Sequence, residues 1–181
     1  TVLSRGLGDV YKRQMQSAYN LPIDEFMRVM EEAIMSGYTF AWGADVSEKG
    51  FAYRDALAIL PEDESTITKK GKDNKYFSDA GANKISNAFM TPVKEKIVTQ
   101  EQRQLAFDVQ ETTDDHGMHI TGLVQDQNGT KYFIVKNSWG KTNQCDGYFF
   151  ASFPYVRYKT MNIMVHKDAL SKSIKKKIGI K

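Results

Sequence analysis

Apolar residues recur at helical spacing near the start of the chain, where Phe26, Val29, Met30, Ala33 and Ile34 make one face. Pro22 suits the first turn of such a helix, Asp24 and Glu25 favour its positive end, and Gly37 fits just past its last turn. A short β-prone run at 38–44 follows almost without a loop. Residues 45–83 lose the pattern: glycines, Pro61 and scattered charges predict a long surface excursion. Phe51, Tyr53, Leu57, Ile59, Leu60, Tyr76 and Phe77 would anchor it, and no domain boundary is expected. Thr99 with Gln102 has capping-box form and predicts a short helix through Arg103, Gln104 and Leu105. Two strand-like runs, 116–124 and 132–137, then flank Asn128-Gly129, the strongest short signal for a hairpin. Runs at 147–150, 156–158 and 162–166 read as further strands, ahead of a lysine-rich helical stretch that closes the chain. One helix followed by mostly strands predicts an α+β fold, an antiparallel sheet with a packing helix.

Residues 1–14 show neither period and are similar to a translated sequencing-adapter read-through. They are expected to be a non-native leader without a packed role, leaving 15–181 as the domain portion. The natural protein is then expected to continue upstream of residue 15.

Composition narrows the picture only slightly. At 181 residues the chain could bury roughly 70% of its unfolded surface. Its apolar share of 41% and charged share of 26% are those of an ordinary globular protein. A net charge of +3 is too small to argue for nucleic acid, and much of it comes from Lys172, Lys175, Lys176 and Lys177, which read as a solvated helix face. No run approaches the roughly 18–20 apolar residues of a membrane span, so neither nucleic acid nor membrane is an expected partner. The one cysteine, Cys145, rules out an internal disulfide.

The hairpin carries the candidate chemistry. His116 opens its first strand and Asn137 closes its second, so folding at Asn128-Gly129 would make them neighbours. An imidazole with a pKa near 6.5 can exchange a proton at neutral pH, usefully so when an amide oxygen fixes its tautomer and ring plane. Trp139, just beyond, could pack in the core and also exclude water from that pair. His116 and His119 form His-x-x-His, but in a strand an odd separation puts them on opposite faces, which argues against zinc. His119 is expected to be structural. Cys145 lies in a loop beside Asp146, without a helix N-terminus or cation to favour a thiolate, and is expected to be an incidental thiol.

His116-Gly117-Met118, Val135-Lys136-Asn137-Ser138-Trp139-Gly140 and Asp146-Gly147-Tyr148 together resemble the motifs of the papain-like cysteine peptidases. The stretch from Thr99 to Phe107, and the helix, aromatic strand and excursion over 22–60, are more similar to the bleomycin hydrolase/aminopeptidase C branch. The resemblance implies the C-terminal, β-rich half of a papain-like fold and peptide-bond hydrolysis from the substrate N-terminus through a Cys-His-Asn triad. His116 and Asn137 would be the catalytic residues, a peptide the substrate, and no cofactor or metal would be needed. In that branch the C-terminal tail lies in the cleft, which would be Gly179-Ile180-Lys181 here. The family's upstream cysteine and the glutamine before it have no counterpart, so this chain is expected to be inactive alone. The alternative is a non-catalytic papain-fold protein that binds peptides. The resemblance favours a cytoplasmic location, and whether the full-length protein forms a homo-oligomer stays open.

Overall fold

A computed structural model describes residues 2–4, 18–70 and 83–180. The expected first helix forms as α1, Ile23–Met35, with Asp24 and Glu25 in its first turn and Gly37 in the left-handed region after it. Pro22 stands one residue earlier than expected, as the N-cap. Phe26, Met27, Val29, Met30 and Ala33 are buried beneath it.

The strands are β1 (Val2–Ser4), β2 (Phe40–Ala44), β3 (Phe51–Ala52), β4 (Leu57–Ala58), β5 (Thr68–Lys70), β6 (Asn83–Ile85), β7 (His116–Gln125), β8 (Lys131–Lys136), β9 (Tyr148–Ser152) and β10 (Thr160–Met164). Eight of them form one sheet in the order β1-β10-β2-β7-β8-β9-β4-β3, while β5 and β6 pair separately. Every pairing in the main sheet is antiparallel except β4 with β9. The antiparallel α+β expectation therefore holds. Phe40 and Trp42 of β2, Met118 and Ile120 of β7, Phe133 and Val135 of β8, and Phe149 of β9 join the α1 face in one hydrophobic core. Helix α2, Gln100–Asp108, has the expected capping box, with the Thr99 hydroxyl accepting from the Gln102 amide and the Gln102 side chain accepting from Thr99.

Three expectations change. Residues 156–158 are not a strand but part of helix α3, Phe153–Lys159. The Ser152 hydroxyl caps its start by accepting from the Tyr155 amide, and Pro154 presets the first turn, so the cap overrides the β-preference of Val156 and Tyr158. The excursion over 45–60 is no surface feature either: β3 and β4 complete the sheet, while Phe51, Tyr53, Ile59 and Leu60 are buried, as expected of its anchors. Tyr76 and Phe77 lie outside the described residues. Finally, Val2–Ser4 pairs along β10, so the backbone of these residues extends the sheet, against the expectation that they have no packed role. The chain closes with α4, Lys172–Ile178, ended by Gly179 in the left-handed conformation.

Phe51 is 0% exposed and lies against Tyr53, Trp139, Phe149 and Tyr155. Phe51→Ala should therefore cost about 3–5 kcal/mol, read from urea unfolding. A value within about 0.5 kcal/mol, as at an exposed site, would restore the surface reading.

Candidate active site

The hairpin turn is wider than two residues: the Asp126 carboxylate accepts from the Asn128 and Thr130 amides, and Gly129 takes a positive φ. From there β7 and β8 pair regularly from Gln125–Lys131 to Gly122–Ile134, and then the register shifts. Beyond the shift Ile120 faces Val135 and His119 faces Lys136, which leaves Thr121 as the extra residue of a β-bulge. Paired residues share a face, so the bulge changes which parity of β7 points inward. His116, Met118 and Ile120 line up with Phe133, Val135 and Asn137. Unbroken pairing from the turn would have put His119 on that face instead.

The His116 Nε2 atom lies 2.7 Å from Asn137 Oδ1. The same oxygen accepts from the Ser138 amide at 2.7 Å, and an N–H can only donate. That fixes the amide orientation, because a flipped Asn137 would set its NH2 against the Ser138 N–H. His116 must then donate from Nε2, and its Nδ1 is left without a hydrogen-bonding partner among the described residues. Asn137 is itself 3% exposed, and its backbone amide donates to Gly147 O at 3.0 Å.

Trp139 covers this pair, its ring 4.9 Å from the His116 ring at a tilt of 38°. Phe51 and Tyr53 hold the indole edge-on from behind, at 6.0 and 4.9 Å between centroids. The Tyr53 hydroxyl donates to Gly140 O at 3.1 Å. Asn143 braces the rest of the loop: its Oδ1 accepts from the Cys145 and Gly147 amides, and its Nδ2 donates to Tyr53 O and Tyr148 O. Gly147 is required there, since a Cβ would come within 2.3 Å of Gly140 O. Beside Trp139 a cleft of about 310 Å³ opens among Tyr53, Arg54, Thr142, Asn143 and Gln144. Sequence reasoning missed Tyr53 and Asn143; only their aromatic and turn-forming types could have hinted at these roles.

The remaining candidates stand apart. His119 is exposed on the other face, its Nε2 2.9 Å from Thr39 Oγ1. Cys145 is half-buried against the core, and its thiol makes no hydrogen bond to His116. Among the described residues no three His, Cys, Asp or Glu side chains gather as metal ligands. Ile180 donates its amide to Lys175 O and packs on the core, with no hydrogen bond to His116 or Asn137.

A family model described as the Peptidase C1-like family matches residues 68–180, and the chain belongs to that family of papain-like cysteine peptidases. Within it the likeness lies with the aminopeptidase C branch. The chain is 27% identical to Aminopeptidase C of Lactococcus lactis subsp. cremoris over 168 residues, 91% of this chain and 32% of that protein. The crystal structure of PepW from Lactobacillus rhamnosis HN001 is similar in fold, with a TM-score of 0.57 and 20% identity over 90% of this chain and 30% of that one. The chain thus spans about a third of the length of these relatives.

Asp115, next to His116, has a carboxyl turned onto the Val46 amide at 3.1 Å although the residue as a whole is exposed. Burial of that carboxyl, and then the charge of Asp45, push it up to about 6. A carboxyl that binds its proton more tightly when folded stabilises the fold at low pH and loses that contribution as pH rises from its unfolded value through about 6. Asp115→Asn should remove this loss, so the melting temperature of the variant should gain on the parent across that window. An unchanged gap would mean the carboxyl is not buried as described.

Proposed function

We propose that this chain supplies the proton-transfer half of a cysteine aminopeptidase site, with His116 as the acid and base and Asn137 as the group that orients it. The observation that carries this reading is the Nε2–Oδ1 bond of 2.7 Å under Trp139, which leaves Nδ1 open. Nδ1 is then the atom that takes the proton from a thiol. The thiolate attacks the peptide carbonyl carbon, forming a C–S bond, and Nδ1 returns the proton to the nitrogen as the C–N bond breaks. Water next attacks the thioester, giving its proton to Nδ1, and the C–S bond breaks to release the acid as Nδ1 returns that proton to the sulfur. Asn137 keeps the ring in one plane and one tautomer through both steps.

The thiol in this reading comes from sequence outside this chain, not from Cys145, whose thiol makes no hydrogen bond to His116. Removal of residues from a peptide's N-terminus, rather than cleavage within it, is inferred from the likeness to a protein named for that activity.

This chain alone should release no fluorophore from an aminoacyl substrate under reducing conditions. Turnover abolished by Cys145→Ala would overturn the proposal. Alkylation of Cys145 should also proceed at one rate in the parent and in His116→Ala, whereas a slower rate in the variant would couple the two residues. In a longer form that carries the thiol, His116→Ala should lower kcat by about 10²–10⁴-fold. A peptide-binding protein without catalysis would have no turnover to lose.

A further inference from the structure

Residues 109–115, between α2 and β7, belong to no helix or strand, yet they set where His116 enters the sheet. Each of the last five is tied down by a different contact. Lys159, at the end of α3, donates from Nζ to Glu111 O at 2.9 Å and to Thr112 Oγ1 at 3.1 Å. The Thr113 amide donates to Asp45 Oδ2 at 2.9 Å, and Asn162 Nδ2 donates to Asp114 Oδ2 at 3.1 Å. Asp115 accepts from the Val46 amide. His116 itself pairs with Ala44, the residue before Asp45.

Lys159 joins these contacts. Its side chain is 0% exposed, pairs with Glu48, and stands 3.9 Å from Asp45 Oδ2, the oxygen that receives Thr113. Its carbonyl accepts from the Asp45 amide at 3.0 Å, so backbone and ammonium grip the same residue. A buried ammonium is a poor way to gain stability, because its desolvation offsets most of the attraction and well-packed apolar groups commonly do as well. What it provides is direction. Four oxygens from two separate segments, 45–48 and 111–112, must converge on one nitrogen, and that fixes the lead-in against the end of β2.

We infer that Lys159 is a positioning residue: it holds 111–115 against Asp45 so that the His116 ring meets Asn137 through Nε2 and leaves Nδ1 open. The inference rests on the reading of His116 as the proton-transfer group, and it predicts an effect on the imidazole beyond any effect on stability.

The test uses the whole chain with nitrogen-15 in its three histidines and follows the His116 Nε2–H proton at one pH, with His119 and His166 as internal references. In Lys159→Met the exchange of that proton with water should rise roughly fivefold to tenfold, about what losing one net hydrogen bond does to an equilibrium, while His166 stays unchanged. A folded Lys159→Met with lower stability and an unaltered His116 signal would overturn the inference, leaving Lys159 a purely structural residue. Should that variant not fold, Asp45→Asn and Thr112→Val each remove one partner and keep the ammonium. Faster exchange in both would support the inference, and an unchanged signal in either would refute it. Asn137→Ala separates the two claims, for if it leaves the His116 signal intact the pairing itself fails, whatever Lys159 does.

Discussion

The site depends on one irregularity, the extra residue Thr121 in the pairing of β7 with β8. In a two-residue repeat an inserted position reverses the inward and outward faces of everything beyond it. Here it swaps His116 for His119 on the core face. Gly122 lets the bulge sit closely on β8, where a Cβ would lie 3.1 Å from Ile134 Cδ1. The stripe Phe133, Val135, Asn137 and the stripe Ile120, Met118, His116 then run side by side from the apolar core to its polar rim. The pair is therefore an extension of core packing, not a decoration on a loop.

That placement favours the polar contact. A hydrogen bond at the edge of a dry core competes with little water, and Trp139 over it keeps water out. The indole is held in turn by Phe51 and Tyr53, and its loop by Asn143, so the residues of the 45–60 segment serve the site by packing. On the opposite side the lead-in is fixed by buried charge, Lys159 with Asp45 and Glu48. Apolar packing sets the Asn137 end of the pair and buried polar contacts set the His116 end.

Much of this was legible from residue types and their order. The apolar face of α1, the Thr99 capping box and the Asn-Gly turn are local signals, and local signals survive folding. His116 and Asn137 could be paired because a hairpin brings the ends of its strands together. Three features were not legible, each because a distant group decides it. Val156-Arg157-Tyr158 reads as strand until the Ser152 cap is known. Phe51 and Tyr53 read as anchors, but what they pack against does not, since their partners Phe149 and Trp139 are about a hundred residues away. Lys159 looks like any surface lysine until Glu48 and Asp45 close around it. The bulge left one trace, a glycine inside a strand pattern, which commonly marks such a site.

The most direct measurement is the nitrogen-15 shift pair of the neutral His116 ring in the unaltered chain. The account requires a single tautomer with the proton on Nε2, donated to Asn137, and Nδ1 carrying a free lone pair. A proton on Nδ1, or the averaged mixture of a freely exchanging imidazole, would contradict it.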